Sequence, residues 1–560
     1  MNIHCVTAVI LIVVCCSSFH LAYTSNPIYA NVYYNKITGK YNVQLGDVDY
    51  NAVAYANYTP NYYEDGWDYL TVSSYIGDDE MYSDVQKSYA MGYIEGYLTQ
   101  ERIWDFYRNM VASHFSASDF VMPENTREFL IENFKFIQDK SAELKDTDPY
   151  WAHINSINYQ LQGLVDGYNN KANISQRINF IEFQVMTAFG DIGELSYWKS
   201  TQYRPKYEEM TSKEIADYFD EHMHCSALIK VAADFSDVYF GHNTWFTFNH
   251  MNRMFKEYRY KSNTNPNRNF VVAFSSYPAV LSSNDDFYIT DQDLYVMETT
   301  NNIFDTTLYD LLTPQCVLTW MRAVVCNRLS TNGKEWMEHF SRYNSGTYNN
   351  QYMIMDMKKI DTTNRVIEDE AFVIIEQIPG QFRTHDQSNY LRKGYWPSVN
   401  IPFTAEIREI SGYNTYLKEH PDLIPKFDYY QCARMSIFRR DAYNVNSIDG
   451  YKQMLLYNNY KEDPLSRGSP SYAIAARKDL EEGANSCSGM IDVKTASIND
   501  VKGKKGKKIH IISGPTHNDY IEPFEWSKIT CNAKEPNKFK HYGQNEKWEF
   551  PWKEYITTLF

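Results

Sequence analysis

The pattern of apolar residues changes abruptly at Cys225. Before this residue, most apolar side chains recur at helical spacing, as they do across 81–115. From Cys225 onward, apolar and β-branched residues form short runs that are separated by turn residues, which is typical of strands. No internal repeat is visible at a solenoid period. We therefore predict an α+β fold with a mostly helical first part and a strand-rich second part.

The first part is expected to open with β structure. Alternating Tyr, Val and Ile around Thr38-Gly39-Lys40 predict a hairpin over 27–49, and 67–75 predicts a further strand. Helices are expected at 81–115, 124–144, 151–168, 178–192 and 212–223. Gly92 and Gly96 would allow one of these helices to pack closely against a neighbour.

The second part is expected to begin with a hairpin that turns near Phe235, between strands at 225–231 and 238–245. Antiparallel pairing then places Cys225 opposite 243–245. Further strands are predicted at 269–276, 286–290, 293–299, 352–356 and 371–377, and helices at 308–328 and 333–340. The Lys- and Gly-rich segment 501–508 is typical of a flexible exposed loop.

The first residues have the pattern of a secretory signal. An apolar run at 6–14 precedes small residues and a cleavage point near 22–25. The run is shorter than the about 20 apolar residues that cross a bilayer, which disfavours a membrane anchor. We predict a signal peptide at 1–24, a mature chain from Ser25 without a transmembrane segment, and N-glycans at Asn57 and Asn173. Pro60 directly follows the first sequon and weakens it.

Charge and cysteine content exclude several classes. The net charge of −16 disfavours a nucleic-acid partner, because phosphate backbones select for excess Lys and Arg. No phosphate-binding glycine loop and no zinc spacing occur, so we expect no cofactor and no metal site. Six cysteines remain after the signal: Cys225, Cys316, Cys326, Cys432, Cys487 and Cys531. Three disulfides would account for all of them, or at least one thiol is free for chemistry.

Ten blocks of sequence after residue 50 carry a family resemblance. They are GYIEGYLT at 92–99, CSALIK at 225–230, GHNTW at 241–245, FSSYP at 274–278, DDFY at 285–288, NSGTYNNQ at 344–351, EQIPG at 376–380, NIPF at 400–403, IFRR at 437–440 and GMIDVK at 489–494. In this order, they make the chain similar to the phospholipase B-like family, which has the N-terminal nucleophile hydrolase fold. A lone cysteine is more often buried packing than a nucleophile, and the surrounding blocks reverse that expectation.

The resemblance implies an αββα sandwich that is made as an inactive precursor. The precursor would cut itself between His224 and Cys225 into fragments 25–224 and 225–560, which stay together as one folded unit. Cys225 would then carry both a thiol and a free α-amine that can take the thiol proton directly or through one water. In an acidic lumen, either the amine stays partly neutral or the thiol is activated as an ion pair; both remain open. With Cys225 unpaired, five cysteines are left, and Cys316, in a predicted helix, is expected to be a buried thiol.

The returning strand of the hairpin supplies the first candidate partners. His242 and Asn243 would orient the thiol, donate to an oxyanion or relay a proton, and Trp245 would pack beside them. His242 could instead be an ordinary core residue. Asp286, with its neighbour Asp285, could fix the histidine or the amine, or simply cap a turn.

Four further residues are candidates through the matching blocks. Thr299, at a strand end, could hold the amine. The side-chain amide of Asn400 or Asn344 could form an oxyanion hole, although either could be a turn residue. Arg439 or Arg440 could bind a carboxylate or phosphate; on a strand they would point to opposite faces, so only one could do so.

The function that the resemblance implies is a lysosomal or secreted acyl hydrolase that removes fatty-acyl chains from glycerophospholipids through a Cys225 thioester. An amidase acting on N-acyl lipids or peptides is the alternative within the same chemistry. A non-catalytic lumenal lipid-binding protein is the alternative from another class. A homodimer is compatible with each.

Overall fold

The computed structural model describes residues 26–77, 81–114, 122–221, 224–263, 269–484, 487–504, 506–529, 531 and 540–557. The predicted signal peptide lies outside the described residues. The strands are β1 (Ile28–Asn35), β2 (Lys40–Leu45), β3 (Ala54–Thr59), β4 (Trp67–Ser74), β5 (His224–Val231), β6 (Val238–Thr247), β7 (Arg253–Lys261), β8 (Asn269–Ser276), β9 (Phe287–Thr290), β10 (Leu294–Thr300), β11 (Asn350–Asp356), β12 (Ile360–Asp361), β13 (Val366–Ile367), β14 (Phe372–Ile378), β15 (Gln381–Asp386), β16 (Tyr395–Ser398), β17 (Ser488–Ser497), β18 (Lys508–Ser513), β19 (Phe524–Glu525), β20 (Lys547–Trp548) and β21 (Lys553–Ile556).

The α-helices lie mainly in two stretches of the chain, before β5 and between β16 and β17. They are α1 (Tyr62–Asp65), α2 (Asp84–Leu98), α3 (Gln100–His114), α4 (Glu124–Leu144), α5 (Pro149–Lys171), α6 (Phe180–Thr187), α7 (Phe189–Leu195), α8 (Ser212–Glu221), α9 (Thr319–Leu329), α10 (Gly333–Phe340), α11 (Ser388–Arg392), α12 (Ala405–Ile410), α13 (Tyr413–Glu419), α14 (Ile424–Phe427), α15 (Ala433–Asp441), α16 (Ile448–Leu455) and α17 (Ile498–Val501).

Most strands of the described chain belong to two sheets. The larger has the order β15-β14-β11-β10-β9-β8-β7-β4-β3-β1-β2, and the smaller has the order β16-β5-β6-β17-β18-β21. All neighbours are antiparallel except β4 and β7, which pair in parallel. The four strands that precede Cys225 therefore continue the same sheet as the strands that follow it.

Three apolar clusters show how the sheets are covered. One cluster lies between the sheets and includes Ala227 and Ile229 from β5 with Tyr295 and Met297 from β10. Val296, which alternates with those β10 residues, belongs to a second cluster with α2, α4, α5 and α9. The alternating residues of β5 and β6 face a third cluster that includes α8, α13, α15 and α16. Each sheet thus has one face toward the other sheet and one face toward helices.

Helices α2 and α5 approach each other closely through glycines. A Cβ added to Gly92 would lie 1.8 Å from the Gln160 carbonyl oxygen, and one added to Gly167 would lie 2.0 Å from the Tyr93 carbonyl oxygen. Such distances are sterically impossible, so the helix backbones touch where these glycines lie. The predicted role of Gly92 is confirmed.

Several sequence predictions are confirmed by the structure. The α+β class, the opening hairpin, the 124–144 helix and the 333–340 helix agree with it. The hairpin after Cys225 turns through Phe235, whose φ is +64°, and pairs Cys225 with Thr244.

Other predictions were wrong. The helix predicted at 308–328 is a short 3₁₀ turn followed by α9, because Pro314 interrupts the pattern. Cys316 is buried and reduced as expected, but it precedes α9 instead of lying in a helix. The exposed loop predicted at 501–508 is confirmed for Gly503, Lys504 and Gly506, but Lys507 is buried against Asp293.

The described cysteines form one disulfide, between Cys487 and Cys531, and Cys225, Cys316, Cys326 and Cys432 are free. No helix among the described residues is long and apolar enough to cross a membrane.

Candidate active site

Cys225 is the second residue of β5, an interior strand of the smaller sheet. Its side chain has no solvent exposure. Because β6 returns antiparallel beside it, Cys225 lies opposite Thr244 and Ala227 lies opposite His242. Directly paired residues share a face of a sheet, so His242 and Thr244 project to the same side as the thiol.

Asn243 and Trp245 lie on β6 and project to the other face of the sheet. The Asn243 amide oxygen accepts hydrogen bonds from the Ser226 backbone N–H at 2.9 Å and from the Trp245 indole at 3.1 Å. Its amide nitrogen donates to the carbonyls of Leu455 and Ile474. Asn243 therefore fixes the backbone next to Cys225 from the opposite face of the sheet. All the donors and acceptors of its amide are used in this way, so none remains to bind a substrate.

The backbone of Cys225 is held on both sides of its α-carbon. Its N–H donates to the Asn400 amide oxygen at 3.0 Å, and its carbonyl accepts from the Arg434 guanidinium at 2.6 Å. Arg434 also donates to the Asn400 amide oxygen and the Val399 carbonyl, and it lies 4.4 Å from the centre of the Trp245 ring. Burial lowers the pKa of Arg434 to about 10, so the guanidinium remains charged at neutral and acidic pH.

Asn400 adopts a left-handed backbone conformation, with φ at +68°. Asparagine tolerates this region better than most residues do. Its side-chain amide nitrogen is buried and has no hydrogen-bond partner. The predicted oxyanion donor thus lies beside Cys225 with a free donor group.

A buried charge network lies on the thiol face of the smaller sheet. The Lys494 ammonium contacts Asp285 at 2.6 Å, Asp492 at 2.7 Å and the His242 Nδ1 at 3.2 Å. Arg253 completes the network, 2.7 Å from Asp285 and 2.6 Å from Asp492. Two cations therefore face two carboxylates, and the network is neutral overall.

The network sets the protonation of its members. Although burial by itself would raise it, the pKa of Asp285 is held well below its usual range by Arg253 and Lys494. Burial and the Lys494 charge lower the pKa of His242, so the imidazole is neutral. Burial and the Glu298 carboxyl raise the pKa of the Cys225 thiol, an effect that Lys494 opposes.

Glu298 of β10 reaches the thiol from the larger sheet. The Cys225 sulfur, a His242 ring nitrogen and a Glu298 carboxyl oxygen all lie within 4.8 Å of one another. One Glu298 oxygen accepts from the Tyr348 hydroxyl at 2.9 Å, and the other is buried without a partner. Burial and the neighbouring Asp286 raise the pKa of Glu298 well above its ordinary value.

These three residue types are also common ligands of zinc. The Lys494 ammonium lies 3.2 Å from the His242 Nδ1, and its charge disfavours a proton on that nitrogen, so we assign the ring proton to Nε2. The free nitrogen of His242 then presents an N–H and not a lone pair, which is unsuitable for a metal. The trio is better suited to proton transfer and anion stabilisation.

The remaining candidates lie farther from the thiol or have other contacts. Asp286 accepts from the Tyr352 hydroxyl at 3.0 Å, and burial raises its pKa. The Thr299 hydroxyl lies 2.5 Å from that of Ser398, beside the strand that leads to Asn400. The Asn344 amide is used within its own turn, where it binds the Gly346 N–H and the carbonyls of Ile378 and Gln381.

The prediction that Arg439 and Arg440 lie on a strand was wrong. Both are in α15, and both are exposed. Arg439 donates to the Tyr430 carbonyl. The arginine that reaches Cys225 is Arg434, which lies on the buried side of the same helix. The sequence analysis did not identify Arg434.

A family model described as Phospholipase B matches residues 54–555. The chain belongs to the phospholipase B family. Among its curated relatives, "Phospholipase B-like protein D" of Dictyostelium discoideum is 39% identical over 520 residues, which are 91% of this chain and 88% of the relative.

Two animal relatives are similar over as much of the chain. "Phospholipase B-like 1" of Rattus norvegicus is 33% identical and covers 93% of this chain and 90% of the relative. "Phospholipase B" of Crotalus adamanteus is 33% identical and covers 93% of this chain and 91% of the relative. The family prediction made from the ten sequence blocks is confirmed.

Proposed function

We propose that this phospholipase B family member is the precursor of an N-terminal nucleophile hydrolase that cuts itself between His224 and Cys225. The observation that carries this proposal is that the backbone of Cys225 is hydrogen-bonded on both sides of its α-carbon. Its N–H donates to the Asn400 amide oxygen, and its carbonyl accepts from the Arg434 guanidinium. The first contact fixes the peptide group that would be cut, and the second fixes the backbone on the other side of the Cys225 α-carbon. Together they hold the sulfur beside the carbonyl carbon that it must attack.

The layer order supports the same fold family. Two facing sheets with helices on their outer sides correspond to the αββα sandwich that the resemblance implies. Cys225 is the second residue of the interior strand β5 and projects toward the larger sheet, a place that suits the nucleophile of such a fold. We infer that fragments 25–224 and 225–560 form one composite unit, because β1 to β4 lie in the larger sheet with β7 to β11.

The burial of Cys225 supports maturation before turnover. A thiol with no solvent exposure cannot meet a lipid, whereas a cut before residue 225 frees the preceding segment to move. The new α-amine then lies on the same residue as the thiol and serves as its base. The free amide nitrogen of Asn400 and the Nε2–H of His242 are the donors for the oxyanion.

The substrate class rests on the relatives, whose names identify phospholipases B. We infer a hydrolase that removes fatty-acyl chains from glycerophospholipids through a Cys225 thioester, in a lysosome or outside the cell. An amidase is the second candidate, because self-cleavage is itself attack by this sulfur on an amide bond. Neither reaction needs a cofactor.

Two variants and one sequencing experiment test the proposal. The larger fragment of the wild-type protein is expected to read Cys-Ser-Ala-Leu-Ile-Lys from its first cycle. Cys225→Ala is expected to give folded, uncut and inactive protein, and Cys225→Ser slow or partial cutting. An alanine variant that matures and hydrolyses lipid normally would refute the role of Cys225.

Substrate assays then separate the candidate functions. Mature protein is incubated with diacyl phospholipid, lysophospholipid and N-acyl substrates near pH 5 and near pH 7, with Cys225→Ala as the control. Fatty acid released from the phospholipids supports the esterase, and release from N-acyl substrates alone supports the amidase. Release from none of them by correctly cut protein would favour a lipid-binding protein.

A further inference from the structure

Self-cleavage requires a net proton transfer that the residues discussed so far do not perform. As the Cys225 sulfur bonds to the His224 carbonyl carbon, the thiol proton must leave. As the bond between that carbon and the Cys225 nitrogen breaks, the nitrogen must gain a proton. In the mature enzyme the α-amine can serve as base, but in the precursor that nitrogen is still an amide and is not basic.

His242 cannot take this proton within the trio of Cys225, His242 and Glu298. The Lys494 ammonium lies 3.2 Å from Nδ1, and its charge opposes the addition of a second proton to the ring. The other ring nitrogen already carries the proton. His242 can therefore donate toward the sulfur or the oxyanion, but its one lone pair faces an ammonium and is a poor acceptor for the thiol proton.

Glu298 has the free acceptor that the trio otherwise lacks. Its side chain is completely buried, one oxygen is held by Tyr348, and the other has no partner. An unpartnered buried oxygen carries a desolvation cost that structures rarely retain without a use. The Asn400 amide oxygen, another acceptor near Cys225, is already occupied by the Cys225 N–H and Arg434.

We propose that Glu298 is the proton carrier of self-cleavage. Its free carboxylate oxygen takes the thiol proton as the sulfur–carbon bond forms, and it gives the same proton to the Cys225 nitrogen as the carbon–nitrogen bond breaks. The products are a thioester between the sulfur and the His224 carbonyl, a free α-amine, and Glu298 as it began. Water then hydrolyses the thioester: its oxygen bonds to the His224 carbonyl carbon, the sulfur–carbon bond breaks, and one water proton goes to the sulfur. His224 is left with a terminal carboxyl group.

The surroundings of Glu298 suit this task. Burial and Asp286 raise its pKa, while the Tyr348 hydroxyl and the Lys494 charge lower it. Asp285 also raises it from the network side. The net increase brings the carboxyl closer in basicity to the thiol and amide that it serves, which makes proton transfer more efficient.

The test measures the rate at which pulse-labelled precursor is cut at a fixed pH. It rests on the proposed cut before Cys225. Glu298→Gln keeps the size and the Tyr348 contact but cannot carry a proton, so we expect cutting to slow by about 100-fold or more. Glu298→Asp should restore part of the rate. Glu194→Gln is the matched control, since Glu194 binds the Tyr348 backbone N–H and its pKa is raised to about 8 by burial. It should cut at the wild-type rate.

The pH profile separates a proton carrier from a structural residue. The wild-type rate should increase with pH as Glu298 ionises. Tyr348→Phe removes a contact that lowers the pKa of Glu298, so the midpoint of the profile should move to higher pH. This variant retains the carboxyl and keeps the test decisive if Glu298→Gln does not fold.

The two proposals fail in different ways. Wild-type protein that is never cut before Cys225 would overturn the proposed function. Wild-type protein cut at that bond, with Glu298→Gln cut at the same rate and with the same pH profile, would overturn the role of Glu298 alone.

Discussion

Replacing Lys494 by methionine is the sharpest perturbation of the buried charge network. The two cations and two carboxylates of the network are completely buried, and Lys494 contacts both Asp285 and Asp492. Lys494→Met keeps most of the side-chain volume but leaves two carboxylates facing Arg253 alone. Removing one partner of a buried ion pair costs about 3–5 kcal/mol, because the other charge stays desolvated and uncompensated.

The expected change in melting temperature follows from the size of the chain. Unfolding entropy of about 2.1 cal/mol/K per residue gives about 1.1 kcal/mol/K for about 535 mature residues. The cost of Lys494→Met therefore corresponds to a decrease of about 3–5 °C in Tm near pH 7. Calorimetry at one scan rate, in uncut Cys225→Ala protein, measures this without contributions from maturation.

The pH dependence of the decrease tests its electrostatic origin. In the parent protein, the pKa of Asp285 is lower in the folded state than in the unfolded state. The ionised Asp285 therefore stabilises the fold at any pH above its unfolded pKa, and this stabilisation is lost as the pH falls through its folded pKa. In Lys494→Met, one carboxyl has a raised pKa instead. Its penalty is present above that pKa and disappears as pH falls through it, when the carboxyl takes up a proton.

We therefore expect a larger decrease in Tm at pH 7.5 than at pH 4.5. The double variant Lys494→Met/Asp492→Asn leaves one cation with one carboxylate, and it should recover at least half of the loss. An unchanged Tm at pH 7.5, or a larger decrease at pH 4.5, would refute the charge argument.

Three further predictions follow from the geometry. Arg434→Lys should slow the appearance of the Cys225 fragment on gels by about tenfold or more, because an ammonium cannot reproduce the fork of contacts to three carbonyl oxygens. Gly92→Ala should lower Tm by more than about 3 °C or prevent secretion, because the added methyl group would collide with a backbone oxygen. Gly193→Ala is the control: a methyl group added there meets no atom within 4 Å, so Tm should stay within about 1 °C of the parent value. Peptide mass analysis after glycosidase treatment should show more complete modification at exposed Asn173 than at half-buried Asn57, which lies within β3; an unmodified Asn173 in secreted protein would contradict this.

The local parts of the site could be predicted because they depend on short-range patterns. The β5–β6 hairpin follows from alternation on both sides of one turn, and pairing then fixes which residue lies opposite Cys225. His242, Asn243 and Trp245 were found in this way. Only the pairing register showed on which face of the sheet each side chain lies. It places His242 on the same face as the thiol and places Asn243 and Trp245 on the opposite face.

The parts that depend on distant contacts could not be predicted. Strand β7 was missed because Arg253, Lys256 and Glu257 make its sequence resemble a solvated segment, although all three are buried. Lys494 and Glu298 reach the site from β17 and β10, and no local pattern marks them as neighbours of Cys225. Arg434 was missed because Ile437 and Phe438, beside two arginines, suggested a strand where the chain forms α15.

The position of the proposed cut explains how a precursor can change its active site without losing its fold. Strand β4 pairs with β7 over Trp67–Ser73 and Arg253–Arg259, which joins the two proposed fragments in the middle of the larger sheet. Helix α2 adds a buried ion pair, 2.7 Å between Glu95 and Lys256, and the same carboxylate binds the Tyr258 hydroxyl. None of these contacts involves the bond between His224 and Cys225. Cutting that bond therefore removes no hydrogen bond of the larger sheet, and the two proposed fragments stay joined.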